Sequence, residues 1–331
     1  MPALHSWSRA WPAPTGLTEN YIELSFLTFS LRPKPLGIKA MDHRKLKGRP
    51  PYPFETIGVA VAFSPRLAGL LGEARRLAAV FGARLLLIHI GERSADKEAL
   101  LRQTMAQSGL DDPDIPVFWR DGDPVTRLLE ACKDNTVDLL LLGARRRENM
   151  LRYYLGSVAR GLSRAAKCSL LLLTEPQPSG SSFAKIVVSG VDNPKTIYTI
   201  NAALYLTCEL GGQEMAVVTE SDQPGLAMAV AEDSRASETA HFKEQFTGES
   251  ARPNALAGLC PTGPIRITEK AVIGRPGYAI RQYAEREHAD LLVINSPDSK
   301  YGIIDRIFTH GMEYILEDLP CNMLIVHSRV S

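Results

Sequence analysis

The chain has 331 residues, 45% of them hydrophobic, and a formal net charge of +1. That is enough apolar material for two ordinary domains, and the near-neutral balance excludes the global basic field of a nucleic-acid binder. Its five cysteines form no C-x-x-C pair, which suggests neither a zinc site nor a disulfide framework and fits a reducing, cytoplasmic setting; no apolar run reaches the length of a membrane span.

Residues 1–53 are set apart by recurrent proline, from Pro2 to Pro53, with no sustained helical or strand period. The apolar patch 21–31 contains Glu23 and lacks both a basic lead and a small-residue cleavage site, so a signal peptide is rejected. A disordered or loosely docked extension is expected here, and Met41 offers a second translation start.

From Phe54 onward strands alternate with helices. Residues 57–63 (IGVAVAF) read as a buried strand, and 67–82 place Leu67, Leu70, Leu71, Ala74, Leu77, Ala78 and Phe81 on one helical face. Strand 83–91, a polar amphipathic helix at 95–108, strand 115–122 and a helix opening at Pro124 follow. The four leucines after Asp138 mark a strand buried on both faces that stops at Gly143. A loop with Arg145, Arg146 and Arg147 leads to Gly156-Ser157, where a helix begins at Val158, and strand 169–174 closes the unit. A strand, a basic glycine-bearing loop and a helix N-terminus together form an anion cradle, so a phosphate is the first ligand to consider. This pattern predicts parallel strands joined by right-handed crossovers.

After a Pro/Ser/Gly linker at 176–183, the pattern repeats. KIVVSGVDNP restates TIGVAVAFSP, EMAVVTE restates RLLLIHI, and DLPCNMLIV restates KCSLLLL with Cys321 in register with Cys168. The segment from Lys270 to Asn295 restates 115–143, which pairs Gly274 with Gly122. The units are therefore 54–175 and 184–329; the second carries an insert at 221–265, read as a charged helix at 232–245 and a Gly/Pro-rich loop at 248–264.

These residues resemble the universal stress protein family in its tandem form. Its nucleotide-binding members carry an acid after strand one and, after strand four, Gly, two residues, Gly, nine residues, Gly, then Ser or Thr. In the first unit Gly143, Gly156 and Ser157 match at the right spacing, Arg146 stands at the second glycine, and Ala62 replaces the acid. In the second unit the match reverses: Asp192 keeps the acid, while Asn295 and Thr309-His310 replace the glycines and serine. The resemblance implies an α/β fold of two tandem doubly wound parallel five-stranded sheets, order 3-2-1-4-5, packed as an intramolecular pseudo-dimer. Strands one and four are then neighbours at a topological switch point, where open α/β sheets bind ligands.

The resemblance further implies that the first unit holds ATP or another adenine nucleotide, with Gly143, Gly156, Ser157 and Val158 at the phosphates and Val61, Ala62, Ile90 and Gly122 on the base side. Arg145 and Arg146 can supply charge-assisted bonds, although Arg146 can equally fill the pocket. Asp192 and Gly274 make a weaker second site; Asp at a strand-to-helix turn is commonly a cap. No metal site, P-loop, strand-one G-x-G-x-x-G or G-x-S-x-G elbow is present in the sequence. The expected protein is non-catalytic, a nucleotide-responsive regulatory or stress-protective module without nucleic-acid or membrane partners. Its protein partner is unknown, and dimerisation of the whole chain is open. The alternatives are a scaffold with decayed sites and a weak ATPase.

Overall fold

Each unit begins with a strand made of β-branched and small apolar residues. The computed structural model describes residues 51–146, 153–154, 156–177, 180–181, 183–191, 193, 195–221, 265–297 and 311–328. In the first half it places β1 (Thr56–Val61), α1 (Leu67–Phe81), β2 (Arg84–Ile90), α2 (Ala95–Gln107), β3 (Val117–Arg120), α3 (Pro124–Asp134) and β4 (Leu139–Gly143). A short ribbon, β5 (Arg145–Arg146) with β6 (Tyr153–Tyr154), precedes α4 (Ser157–Ala165) and β7 (Ser169–Leu173). The second half contains β8 (Lys185–Ser189), α5 (Thr196–Leu210), β9 (Glu214–Ser221), β10 (Arg266–Ile273), α6 (Tyr278–Arg286), β11 (Leu291–Asn295), a helical stretch at 311–317 and β12 (Asn322–Val326).

Local chemistry sets the element ends. The apolar stripe of α1 (Leu67, Leu70, Leu71, Ala74 and Leu77) is buried, and the helix ends at Gly82, whose φ of 61° is a left-handed cap that returns an N–H to Ala78 O. α3 starts on Asp123, whose carboxylate accepts from Thr126 N at 2.8 Å, with Pro124 in the first turn.

The main strands form one ten-stranded sheet, in the order β10-β9-β8-β11-β12-β7-β4-β1-β2-β3, so the two expected five-stranded sets are continuous with each other across β12 and β7. All neighbours are parallel except β12 and β7, which meet antiparallel with Leu324 opposite Leu171. The reason is local. β7 is buried along its whole length, as are four of the five residues of β12. Left as edges, such apolar strands would expose unpaired backbone; pairing them covers both, and each buried leucine is worth about 1.5–3 kcal/mol. One core layer under α1, α2 and α5 and another under α3, α4 and α6 each draw residues from both halves.

The linker is docked rather than loose. Glu73 of α1 is fully buried; it pairs with Arg76 at 2.6 Å and accepts from Ser181 N at 2.6 Å. Tyr52 stacks on Tyr205 of α5 with ring centroids 5.3 Å apart, so the packed unit begins no later than Pro51, inside the expected extension. Residues 1–50 of that extension and 222–264 of the insert lie outside the described residues. Cys132, Cys168 and Cys321 are free and buried, whereas Cys208 is disulfide-bonded, which scattered cysteines did not lead us to expect; its partner lies outside the described residues. Among the described residues, no helix is long and apolar enough to cross a membrane.

Candidate nucleotide site

The carboxyl ends of β1 and β4 part from each other. Their pairing stops at Val59 opposite Leu141, although β1 stays paired with β2 as far as Val61 and β4 with β7 as far as Gly143. A crevice therefore opens where the chain order reverses, which is where doubly wound sheets take ligands.

Val61 and Ala62 stand on one lip. Val61 is buried, and its carbonyl accepts from His89 Nδ1 at 3.0 Å; Ala62 is exposed. On the other lip Gly143 is exposed, with nothing within 4 Å of where a Cβ would sit. Gly156 is the N-cap residue of α4, with no side-chain cap and no acidic residue in the first turn, so the helix's free N–H groups and positive end stay unopposed. Ser157 is exposed, and Val158 packs against the core. Ile90 and Gly122 lie along the same edge, past the crevice, at the ends of β2 and β3; Gly122 holds a φ of 124°. The backbones of Arg145 and Arg146 pair with Tyr154 and Tyr153 in the ribbon, while their side chains, and Arg147 altogether, lie outside the described residues.

At this crevice sequence reasoning missed Arg66 and left Tyr153, a hydroxyl near the loop, without a role. Arg66, the N-cap residue of α1, donates from Nη1 to Ala144 O at 2.9 Å and to Thr174 O at 3.0 Å, and its guanidinium lies 5.1 Å from the ring centre of Tyr153. Tyr153 donates its hydroxyl to Glu175, and its carbonyl accepts from Leu319 N at 2.9 Å, so the loop after β4 is tied to the second half. The signal was a repeated one: Pro65-Arg66 recurs in register as Pro194-Lys195.

Residues 90–174, from the end of β2 through β7, match the model of the universal stress protein family. This stretch belongs to the universal stress protein family. No curated protein matches the chain. Among solved structures, a putative universal stress protein from Pseudomonas aeruginosa UCBPP-PA14 is similar at 18% identity and a TM-score of 0.58, over 82% of this chain and 93% of that one. A universal stress protein from Archaeoglobus fulgidus DSM 4304 is similar at 14% identity and a TM-score of 0.53, over 81% and 97%. A functionally unknown protein from Pseudomonas aeruginosa PAO1 is similar at 17% and 0.60, over 82% and 92%. At such identities the likeness concerns the fold.

The equivalent crevice of the second half is differently filled. β8 and β11 part after Val188 opposite Val293. Across the gap the buried Asn295 donates from Nδ2 to Thr196 Oγ1 at 3.1 Å, and Thr196 donates in turn to Val191 O at 2.5 Å. Here the last residue of β11 itself bonds the start of the following helix, whereas in the first half the link runs from Arg66 to the Ala144 carbonyl and Gly143 carries no side chain. Asp192, Asp298 and Thr309-His310 lie outside the described residues. At the position of Ile90 the second half has Glu220, whose carboxylate caps α6 by accepting from Gly277 N at 2.9 Å and Ile280 N at 2.8 Å. Gly274, at a φ of 149°, is the turn after β10. Among the described residues, no three His, Cys, Asp or Glu side chains are placed to hold a metal ion.

Burial raises the Glu220 pKa above the ordinary carboxylate value, against the lowering effect of the Gly277 and Ile280 amides. The folded state therefore keeps a proton that the unfolded chain releases. The stability linked to this group is fully present below the unfolded pKa and is lost as pH rises through the folded one. Glu220→Gln keeps an acceptor oxygen for the cap and is expected to reduce that fall. Urea titrations from pH 4 to pH 8 check this, and an unchanged difference between wild type and variant across the range would refute it.

Proposed function

We propose that this chain is a tandem universal-stress-type module. In this reading its first half takes an adenine nucleotide, ATP, ADP or AMP, and its response is regulatory or stress-protective rather than catalytic. The carrying observation is the open crevice between β1 and β4, with Gly143 unobstructed on one lip and an uncapped helix start at Gly156 in the same loop segment. Glycine allows the backbone to approach phosphates closely, and a free helix N-terminus favours negative charge. The two halves, joined through β7 and β12, serve in this reading as an intramolecular pseudo-dimer.

Isothermal titration with ATP, ADP and AMP tests the reading, using wild type and Gly156→Trp. Gly156 has a φ of −66°, which any residue adopts, so the variant fills the cradle without backbone strain. The expected loss is at least tenfold, about 1.4 kcal/mol. Binding that survives the substitution places the ligand elsewhere.

The second reading, a scaffold whose nucleotide sites have decayed, is favoured by the Asn295–Thr196 bridge across the second crevice. Absence of heat with wild type would select it.

A further inference from the structure

Arg66 is placed where simple electrostatics disfavours it. It is the N-cap residue of α1, beside the positive end of that helix. Lys195 holds the same place before α5, so a cation recurs at the first helix of both halves. In the first half the guanidinium is half-buried and held on three sides: Nη1 spends its hydrogens on Ala144 O and Thr174 O, and one face covers Tyr153. Both carbonyls follow the ends of parallel neighbours, β4 and β7. Thr174 is itself fixed from the second half, its N–H donating to Asn322 Oδ1 at 2.9 Å. Such anchoring removes most of the rotamer freedom that makes surface arginines weak binders.

The anchored atoms occupy only one end of the group. Among the described residues, Nε and Nη2 make no hydrogen bond, and no carboxylate pairs with Arg66. These two N–H groups form the edge that matches two oxygens of a phosphate or carboxylate at once. At the end of β1, where the family resemblance leads one to expect an acid, stands Ala62. The crevice therefore lacks the expected carboxylate and keeps a fixed cation beside it.

We infer that Arg66 holds the phosphate of the first half's ligand through its Nε–Nη2 edge, so that the site selects nucleotides by their phosphate and gains nothing from Arg66 when offered the nucleoside. This rests on the nucleotide reading above and adds to it the residue that reads the anion. Arg66 would also carry occupancy outward: a phosphate drawn to the free edge pulls on a group already bonded to the β4 and β7 termini and stacked on Tyr153, which bridges to Leu319 of the second half.

The test compares AMP, adenosine and pyrophosphate by isothermal titration at low and high salt, with wild type, Arg66→Lys and Arg66→Gln, after thermal melts of each. AMP binding is expected to fall at least about tenfold in Arg66→Gln, as for loss of a charge-assisted pair. Adenosine binding should change less than about twofold, Arg66→Lys should lie between, and the salt dependence of AMP binding should flatten with the charge removed. Equal losses for adenosine and AMP would overturn the inference and make Arg66 a strut of the crevice. An unchanged AMP affinity in Arg66→Gln would also overturn it. If wild type binds pyrophosphate in an Arg66-dependent way but no nucleotide, the nucleotide reading falls and the anion role stands. Binding of none of the three by wild type defeats both.

Discussion

Alanine at Gly277 is expected to destabilise the protein by about 3 kcal/mol or more. The residue stands at φ 81°, ψ −33°, outside the conformations that alanine adopts without strain. Holding a side chain there costs about 1–3 kcal/mol. A Cβ at that position would also sit 1.8 Å from Gly311 O and 2.4 Å from its carbonyl carbon. The obstruction is backbone, so no rotamer change relieves it, and forced overpacking adds about 1–3 kcal/mol. The helical stretch at 311–317 would have to move away from the start of α6, and the Glu220 cap on Gly277 N would be disturbed with it. Gly143→Ala is the control: nothing lies within 4 Å of its Cβ position and its φ is ordinary, so its stability should stay within about 0.5 kcal/mol of wild type. Urea unfolding followed by circular dichroism measures both. A Gly277→Ala protein within 1 kcal/mol of wild type would show that the close approach of the two glycine backbones is wrong.

The contrast between these glycines shows what a sequence discloses and what it withholds. Gly143 was legible because its role depends on local order: a leucine run, then a glycine, then a fixed spacing to Gly156-Ser157. The stripe of α1 and the buried strands were legible for the same reason, since period and chain adjacency decide them. Gly277 was not, because its constraint comes from Gly311, a partner distant along the chain. The single sheet was hidden for a related reason. That β7 and β12 are apolar on both faces says that each needs covering, and the pseudo-dimer implied by the resemblance says that they can cover each other, but not that a single continuous sheet results. Glu220 and Arg66 were missed because they act on backbone groups far along the chain, at Gly277 and at Ala144 and Thr174, and no spacing rule reports such pairs. Arg66 left one trace, its recurrence as Lys195, which becomes visible only when the repeat is read for charge as well as for apolar pattern.

Asp138→Ala is expected to cost about 3 kcal/mol, and the repeat explains why. Asp138 is 1% exposed, and its Oδ2 accepts from Glu55 N at 3.0 Å and Thr56 N at 2.9 Å. Its own N–H donates to Thr56 O at 2.9 Å and its carbonyl accepts from Ser169 N at 3.0 Å, so one residue laces β1, β4 and β7 together at their amino ends. In the second half Asp290 accepts from Lys185 N at 2.9 Å, donates its N–H to Lys185 O at 2.9 Å, and offers its carbonyl to Asn322 Nδ2 at 3.1 Å. The same lacing in both halves identifies a structural carboxylate, placed at the opposite ends of the strands from the crevice between β1 and β4. Hydrogen bonds to a charged acceptor contribute about 1.5–3 kcal/mol each, and removing the acceptor strands buried donors. Asp138→Asn retains one acceptor oxygen and should lose less than Asp138→Ala. Asp290→Ala, which frees the single donor Lys185 N in a less buried setting, should also lose less. Because both core layers run through β7 and β12, each variant is expected to unfold in one transition, with near-additive losses in the double variant. Two separated transitions in Asp138→Ala would show that the halves hold together only at the β7–β12 seam, and a nucleotide bound in the first half would then have no packed route by which to change the second.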